Sequence, residues 1–453
     1  MSSMTVRDAR IVLGSLLALV ALATPSLGEN PTRWTIASVH AHGLLGPLVR
    51  AANGHWDVGV LRAPALAAGL VVALLLVFVP QLGRARGLIA IVATIGVAVA
   101  LLVPAVALQA GLRDATAPWF HDNDSTYQID IAGDLVRHGT NPYGHDYRSS
   151  GMERIYSRNG TRAPAAETNP ALRHFPYLPG TVELATAWRL LPAPLDDIRF
   201  LVCLASLALL AAAWAFPGPP WVRLVLGAVL AVNPLTIRAA WFGTADALSL
   251  APLVLGFGLV ARRRLGWAAV ALASAILIKQ FAIVALPFLA IVAWQSCGRE
   301  ATRRAAAIGA AVLAVGILPF VVWNPSALVS DTVEFGAGAY RVVGYGLSNL
   351  LVRAGVVDRT GYYPFVWLAL LIWLPLTVVL CLRLARQREH WAAALAAGVS
   401  WFLLFWIARV FQTSYLLYPI AGLAMSLAWR LGSAQSAISD AATQAIGSSN
   451  SEA

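Results

Sequence analysis

Apolar residues in this chain rarely alternate with polar ones; they gather in long runs separated by short polar stretches. The runs fall at about 10–28, 61–80, 86–111, 197–216, 221–240, 246–261, 266–279, 281–297, 303–323, 363–385, 391–408 and 412–430. A helix needs roughly 20 apolar residues to cross the hydrocarbon core of a bilayer. The pattern therefore predicts about 12 membrane helices, within a range of about 10–13, in an all-α polytopic bundle. The segment 266–297 reads either as two short helices meeting at Lys279 and Gln280 or as one long tilted helix.

The polar stretches sort by charge. With the N-terminus inside, every second connection is short, and nearly all of these carry arginine: Arg84 and Arg86, the run Arg262–Arg264, then Arg299, Arg303 and Arg304, and later Arg386 and Arg388. Cytoplasmic loops concentrate Lys and Arg, so this orientation is self-consistent and predicts a multi-pass plasma-membrane protein. The opposite side receives 29–60, a long loop 113–196, a turn at 239–245 and a loop 324–362. The first run follows Arg7 and Arg10 and is either a signal peptide or a first span; both leave 29–61 outside. The expected division is 1–85 as N-terminal extra spans with an external loop, 86–430 as the main transmembrane domain, and 431–453 as a flexible cytoplasmic tail rich in Ser, Ala and Gln. Within the long external loop, Thr181–Leu191 is apolar on one side and carries Glu183 and Arg189 on the other, which predicts a helix lying on the membrane surface.

Composition changes this picture by exclusion. Of 453 residues 58% are hydrophobic and only 12% charged, with mean hydropathy +0.69. Soluble domains carry about a quarter charged residues, so an ordinary soluble enzyme, a disordered chain and a nucleic-acid binder are excluded, and the lipid bilayer is the expected partner. The net charge of +11 is then mostly topology, arginines pinning loops to the cytoplasm. Three cysteines with no paired spacing give neither a disulfide framework nor a zinc signature. Seven of the eight histidines fall on the outer side, without metal-ligand spacing, so no metal or other cofactor is expected.

Candidate chemistry is what remains outside. The stretch from His121 to Tyr127 contains His121, Asp122 and Asp124 close behind the 86–111 run. Such a set could act as a general base on a hydroxyl or hold a divalent cation through oxygen ligands. Asp246 opens an apolar run after the turn Arg238–Ala245, where it is either a helix cap or a carboxylate facing the same compartment as Asp124. The cations Lys279, Arg238, Arg341 and Arg409 lie near outer helix ends, against the charge bias. Lys279 is the only lysine, and Arg409 interrupts a run otherwise free of charge. A cation at headgroup depth is suited to a lipid phosphate, or it snorkels to the interface.

These motifs form an ordered set. Asp124-Ser-Thr-Tyr127 followed by Gly139-Thr-Asn-Pro-Tyr143 resembles the first external loop of C-type (GT-C) glycosyltransferases, and more closely that of the bacterial polyprenyl-phosphate-mannose-dependent mannosyltransferases. Phe175-Pro-Tyr-Leu-Pro179 is similar to their Tyr-Pro-Pro-Leu element. Asn233-Pro234 with Trp241-Phe-Gly243 and Asp246-Ala247 resembles their second acidic motif, Lys279-Gln-Phe281 with Leu286-Pro287 their Lys and Leu-Pro element, and Tyr415–Pro419 their closing Tyr and Pro. The resemblance runs in order from about Arg86 to Arg430, with two extra spans, or a signal and a span, ahead of it. It implies an integral-membrane, metal-independent, inverting glycosyltransferase that moves a sugar, mannose by analogy, from a polyprenyl-phosphate donor to an extracytoplasmic glycan or glycolipid acceptor. Asp124, with Asp122 as its competitor, becomes the acceptor-activating base, and Asp246 lies across the same cavity. Lys279 and Arg409, with Arg238 and Arg341 as further candidates, meet the donor phosphate. His121, Tyr127, Asn141, Tyr143 and Tyr177 become substrate contacts. The rival readings are a transporter or flippase for a lipid-linked sugar and a non-enzymatic partner in envelope assembly.

Overall fold

The computed structural model describes residues 4–26, 43–52, 59–83, 85–115, 124–152, 170–339 and 341–449. These residues are almost entirely helical. In chain order the helices are α1 (Val6–Ser26), α2 (Gly46–Ala52), α3 (Gly59–Phe78), α4 (Ala85–Ala115), α5 (Asp124–Arg137) and α6 (Pro179–Trp188). They continue as α7 (Ile198–Ala212), α8 (Pro220–Ala231), α9 (Pro234–Phe242), α10 (Ala245–Ala261), α11 (Leu265–Ile278) and α12 (Leu286–Trp323). The last six are α13 (Pro325–Val329), α14 (Leu347–Arg353), α15 (Phe365–Leu368), α16 (Leu374–Gln387), α17 (Ala392–Ile407) and α18 (Leu417–Ser449). Two residues each of β1 (Val343–Gly344) and β2 (Val410–Phe411) pair in parallel.

Helices occupy the expected apolar runs, but among the described residues four are long and apolar enough to cross a membrane, or five if the α8–α9 pair is one span. Several of the other apolar helices are short. At 1.5 Å per residue α10, with 17 residues, reaches about 26 Å and α11, with 14, about 21 Å, below the roughly 30 Å of a hydrocarbon core. The shortening has a local cause: α10 starts and α11 stops where the chain turns in to line a cavity.

The ambiguous segment 266–297 resolves as two helical passes. Helix α11 breaks at Lys279, whose backbone is extended (φ −145°, ψ 117°). The run Gln280–Trp323, 44 residues, is broken in turn at Gly298 (φ 81°, ψ 172°). Gly266 packs against Ile308, Gly309 against Ala269 and Gly316 against Leu277, so 299–323 runs in the same direction as α11. The intervening 280–297 must therefore run back.

The α8–α9 pair bends by 50° at Asn233-Pro234. Proline has no N–H to continue the ladder and disfavours helix in the residue before it. Asn233 instead caps α9, its Oδ1 accepting from the Leu235 and Thr236 amides at 3.0 Å each.

One large core, built from α4, α7–α12, α17 and α18, fills the middle of the bundle. The outer flanks are apolar and open: Val322 on α12 is 78% exposed and Leu371, between α15 and α16, 70%. A soluble protein rarely shows so much exposed apolar surface, and lipid is its natural cover.

One expectation is corrected. Thr181–Leu191 does not form a helix resting on the surface by an apolar stripe. Helix α6 is wedged into the protein: Gly180 abuts Leu277, Thr181 Oγ1 donates to the Ile278 carbonyl at 2.6 Å, and Arg189 is buried in ion pairs with Asp134 and Asp196. The polar side that reads as solvated has internal partners. Helix α18 runs on through 431–449 to Ser449.

Candidate functional site

The α10–α11 hairpin sets the centre of the site. The turn Arg262–Arg264 reverses the chain, and Ser249 Oγ donates to the Ala275 carbonyl at 2.9 Å, so the start of α10 lies beside the end of α11. Asp246 and Lys279 meet there, Oδ1 to Nζ at 3.6 Å, with both side chains buried. The reading of Asp246 as a helix cap fails. It sits in the first turn behind Thr244, and its carboxylate reaches across to other elements: Ser414 Oγ donates to Oδ2 at 2.9 Å. Among the described residues Oδ1 has no hydrogen bond and lies opposite the ammonium. Lys279 is boxed by aromatic rings, with Nζ 4.7 Å from the Tyr177 centroid, 5.3 Å from Phe281 and 5.6 Å from Tyr415. Those π faces stabilise the buried charge.

Helix α5 brings Asp124 to the same place. Gly243 ends α9 in the left-handed conformation (φ 63°, ψ 35°). A Cβ there would lie 2.7 Å from Arg199 Cγ and 2.8 Å from Thr126 Cγ2. Only glycine lets Thr126 pack down and donate its hydroxyl to the Phe242 carbonyl. Two residues earlier, Asp124 opens α5, with Oδ1 accepting from the Ser125 amide at 2.8 Å. Gln128, one turn on, fixes the facing segment by donating to the Ala171 and His174 carbonyls at 3.1 and 2.7 Å.

Arg409 arrives from the C-terminal side. Helix α17 ends at Ile407, and the chain pairs as β2 with β1, the Val343 amide donating to the Arg409 carbonyl at 3.0 Å. A Cβ on Gly344 (φ 105°) would fall 1.8 Å from the Phe411 carbonyl oxygen, so this pairing requires glycine. Arg409 Nη1 donates to the Gly361 carbonyl at 3.0 Å.

Asp124, Tyr177, Asp246, Lys279 and Arg409 line one cavity of about 440 Å³. Gln128, Gln280, Gln412 and Tyr415 add polar groups, while Phe281, Phe335, Phe365, Leu404 and Phe405 supply an apolar wall. That combination binds an amphiphile with an anionic head, with a carboxylate placed to take a proton from a hydroxyl.

The remaining expected site residues are elsewhere. Tyr127 and Tyr143 are buried outside the cavity lining, their hydroxyls donating at 2.8 Å to the Ser150 and Tyr177 carbonyls. Asn141 shapes the turn, its Oδ1 accepting from the Tyr143 amide at 3.0 Å. These three hold the loop beneath Tyr177. Arg238 stands over the Phe242 ring at 5.2 Å, and Arg341 is exposed; neither lines the cavity. His121 and Asp122 lie outside the described residues, as do His40 and His42. Among the described residues, no cluster of three or more His, Cys, Asp or Glu is placed to hold a metal, and all three cysteines are free.

Sequence reading passed over Gln128, Ser414 and above all Asp331. Asp331 is 1% exposed and ties three segments together, facing His174 Nδ1 at 2.8 Å and accepting from the Gly144 and Phe175 amides at 2.8 and 3.1 Å. It also passed over a buried ion network behind α5. Arg113 there pairs with Asp130 at 3.3 Å and Asp197 at 3.4 Å, and contacts Asp196. Arg199 pairs with Asp197 at 2.6 Å and donates to Gln109 Oε1 at 2.9 Å. Burial and the Asp197 charge push Asp130 up to about 7, against the pull of Arg113, Arg189 and Arg199. This network fixes α5 to α4 and α7 and thereby the position of Asp124.

Neither a protein-family model nor any curated protein matches this chain.

Proposed function

We propose that this protein is an integral-membrane glycosyltransferase that moves a sugar, mannose in the first instance, from a polyprenyl-phosphate donor to a hydroxyl of a glycan or glycolipid acceptor. The observation that carries the reading is the gathering of Asp124, Asp246, Lys279 and Arg409, far apart in sequence, around one cavity with an apolar wall. In this reading Asp124 removes the acceptor proton as the hydroxyl attacks the anomeric carbon. The polyprenyl phosphate leaves from the opposite face, so configuration inverts in a single displacement, without the second carboxylate that a covalent route requires. Arg409 and Lys279 neutralise the phosphate as its bond to the sugar breaks. Asp246 holds the ammonium in place until the phosphate shares it. The isoprenoid lies along the phenylalanine and leucine wall.

The reading includes the full arrangement of about 12 passes, in which the short helices complete the bundle and the cavity opens on the extracytoplasmic side of the plasma membrane. No cofactor enters the mechanism, and transfer is expected to survive EDTA; a strict metal requirement counts against it.

Donor binding tests the cation roles. In Lys279→Met and Arg409→Met, the affinity for a short-chain polyprenyl-phosphate sugar should fall about 10- to 100-fold, with acceptor binding close to wild type; Lys279→Met also loses thermal stability, because Asp246 is left buried without its ion partner. Unchanged donor affinity in both variants removes the phosphate assignment. Movement of the lipid across vesicles with no glycosidic bond formed would favour a flippase instead.

A further inference from the structure

Beyond one wall of the cavity lies a second, open groove of about 670 Å³. The two hollows share a partition. Along 330–335, Thr332, Val333 and Phe335 line the cavity, whereas Ser330, Asp331 and Glu334 line the groove. The neighbouring turn divides in the same way, with Pro176 and Tyr177 on the cavity side and Arg173 and His174 on the groove side.

The partition is firmly built. The His174 ring stacks on Phe335 at 4.6 Å between centroids, and its Nδ1 faces Asp331 Oδ1 at 2.8 Å. Asp331 already accepts two backbone amides through Oδ2. Its carboxylate therefore fixes the His174 ring through Nδ1, and Nε2 lies on the far side of the ring from Asp331. No described residue hydrogen-bonds that nitrogen.

The groove presents groups of both signs: the exposed Arg173 guanidinium, the exposed Glu334 carboxylate, the His174 imidazole and the Ser330 hydroxyl. A phosphate site needs cations without a carboxylate beside them. Mixed donors and acceptors, with the Asp331 and Glu334 carboxylates beside the single guanidinium, match a neutral polyhydroxyl chain, whose hydroxyls both give and accept hydrogen bonds.

We propose that this groove is a saccharide subsite, holding the neutral sugar units that precede the reacting one in an extended acceptor. The proposal rests on the glycosyl-transfer reading of the adjacent cavity. It implies that the acceptor is a chain and that the partition sets how far its end reaches inward.

The test is a binding measurement without turnover. Purified full-length protein in micelles is titrated, by saturation-transfer NMR, with neutral linear trisaccharides of glucose, galactose and mannose, and with a sulfated trisaccharide of equal length. Wild type should bind a neutral trisaccharide saturably and prefer it to the sulfated one. The double variant Arg173→Ala, Glu334→Gln should bind about tenfold more weakly, while Glu300→Gln, at the far end of the bundle, should match wild type. Absence of neutral binding, a preference for the sulfated probe, or equal binding by the double variant overturns the proposal. Failed transfer with intact, groove-dependent binding would overturn the enzymatic reading and leave the groove standing; loss of groove binding with intact transfer would do the reverse.

Discussion

Asp246 and Lys279 illustrate how a buried charge is kept usable. Removing two ions from water costs several kcal/mol each, and their attraction offsets this only when geometry and further hydrogen bonds are good. Here the pair is 3.6 Å apart, beyond hydrogen-bond range, and the rest comes from Ser414 on one side and three π faces on the other. A loose pair can rearrange when an anion arrives. Lys279, Asp246 and Arg409 were legible as candidates because a lone charge in an apolar run is conspicuous in any sequence. Asp331 and Ser414 were not, because their roles exist only through contacts across 187 and 168 residues. Asp130 gives a pH prediction. Its folded pKa is raised, from 3.8 to about 7, so its contribution to stability is full below about pH 4, declines as pH rises, and is gone above about 7. Asp130→Asn, which stays neutral, should therefore gain thermal stability relative to wild type between pH 4 and pH 8. A melting-temperature difference independent of pH would show that Asp130 is ionised throughout.

Helix ends rather than helix middles build the site. The starts of α5 and α10, the end of α11 and the exit from α17 all converge on the cavity, each stopped by a residue whose role is local. Gly243 and Gly298 both sit at positive φ, 63° and 81°, but in different surroundings. A Cβ at Gly298 meets nothing within 4 Å, whereas one at Gly243 runs into Arg199 and Thr126. Gly298→Ala should therefore cost only the conformational penalty of a backbone (φ 81°, ψ 172°) that essentially glycine alone adopts, about 1–3 kcal/mol. Gly243→Ala should cost more, because α5 must move, and it should impair transfer even where the protein still folds. Thermal unfolding and transfer assays on the two variants check this; equal losses would mean that α5 does not depend on the Gly243 turn. The existence of most helices was readable from hydrophobic runs, and the break at Asn233-Pro234 from proline chemistry. The wedging of α6 was not, since Arg189 reads as solvent-facing until Asp134 and Asp196 come beside it.

At the scale of the whole molecule, the proposed topology gathers the arginine-rich turns at one end of the bundle and opens the cavity at the other. The alternation of charge is what argues for this division, while helix lengths among the described residues support only four or five spans. Labelling of single cysteines decides the matter: Glu300→Cys should react only after the membrane is permeabilised, and Ser326→Cys in intact cells. Labelling of both from the same side would break the proposed topology. The central claim is that the cavity transfers a sugar with Asp124 as base. Its most direct test is transfer from a radiolabelled polyprenyl-phosphate sugar to an envelope glycan acceptor by purified protein, wild type against Asp124→Asn. The account predicts transfer by wild type and a loss of about 10²- to 10⁴-fold in kcat for the variant, with donor affinity retained. Transfer by Asp124→Asn at the wild-type rate would contradict it.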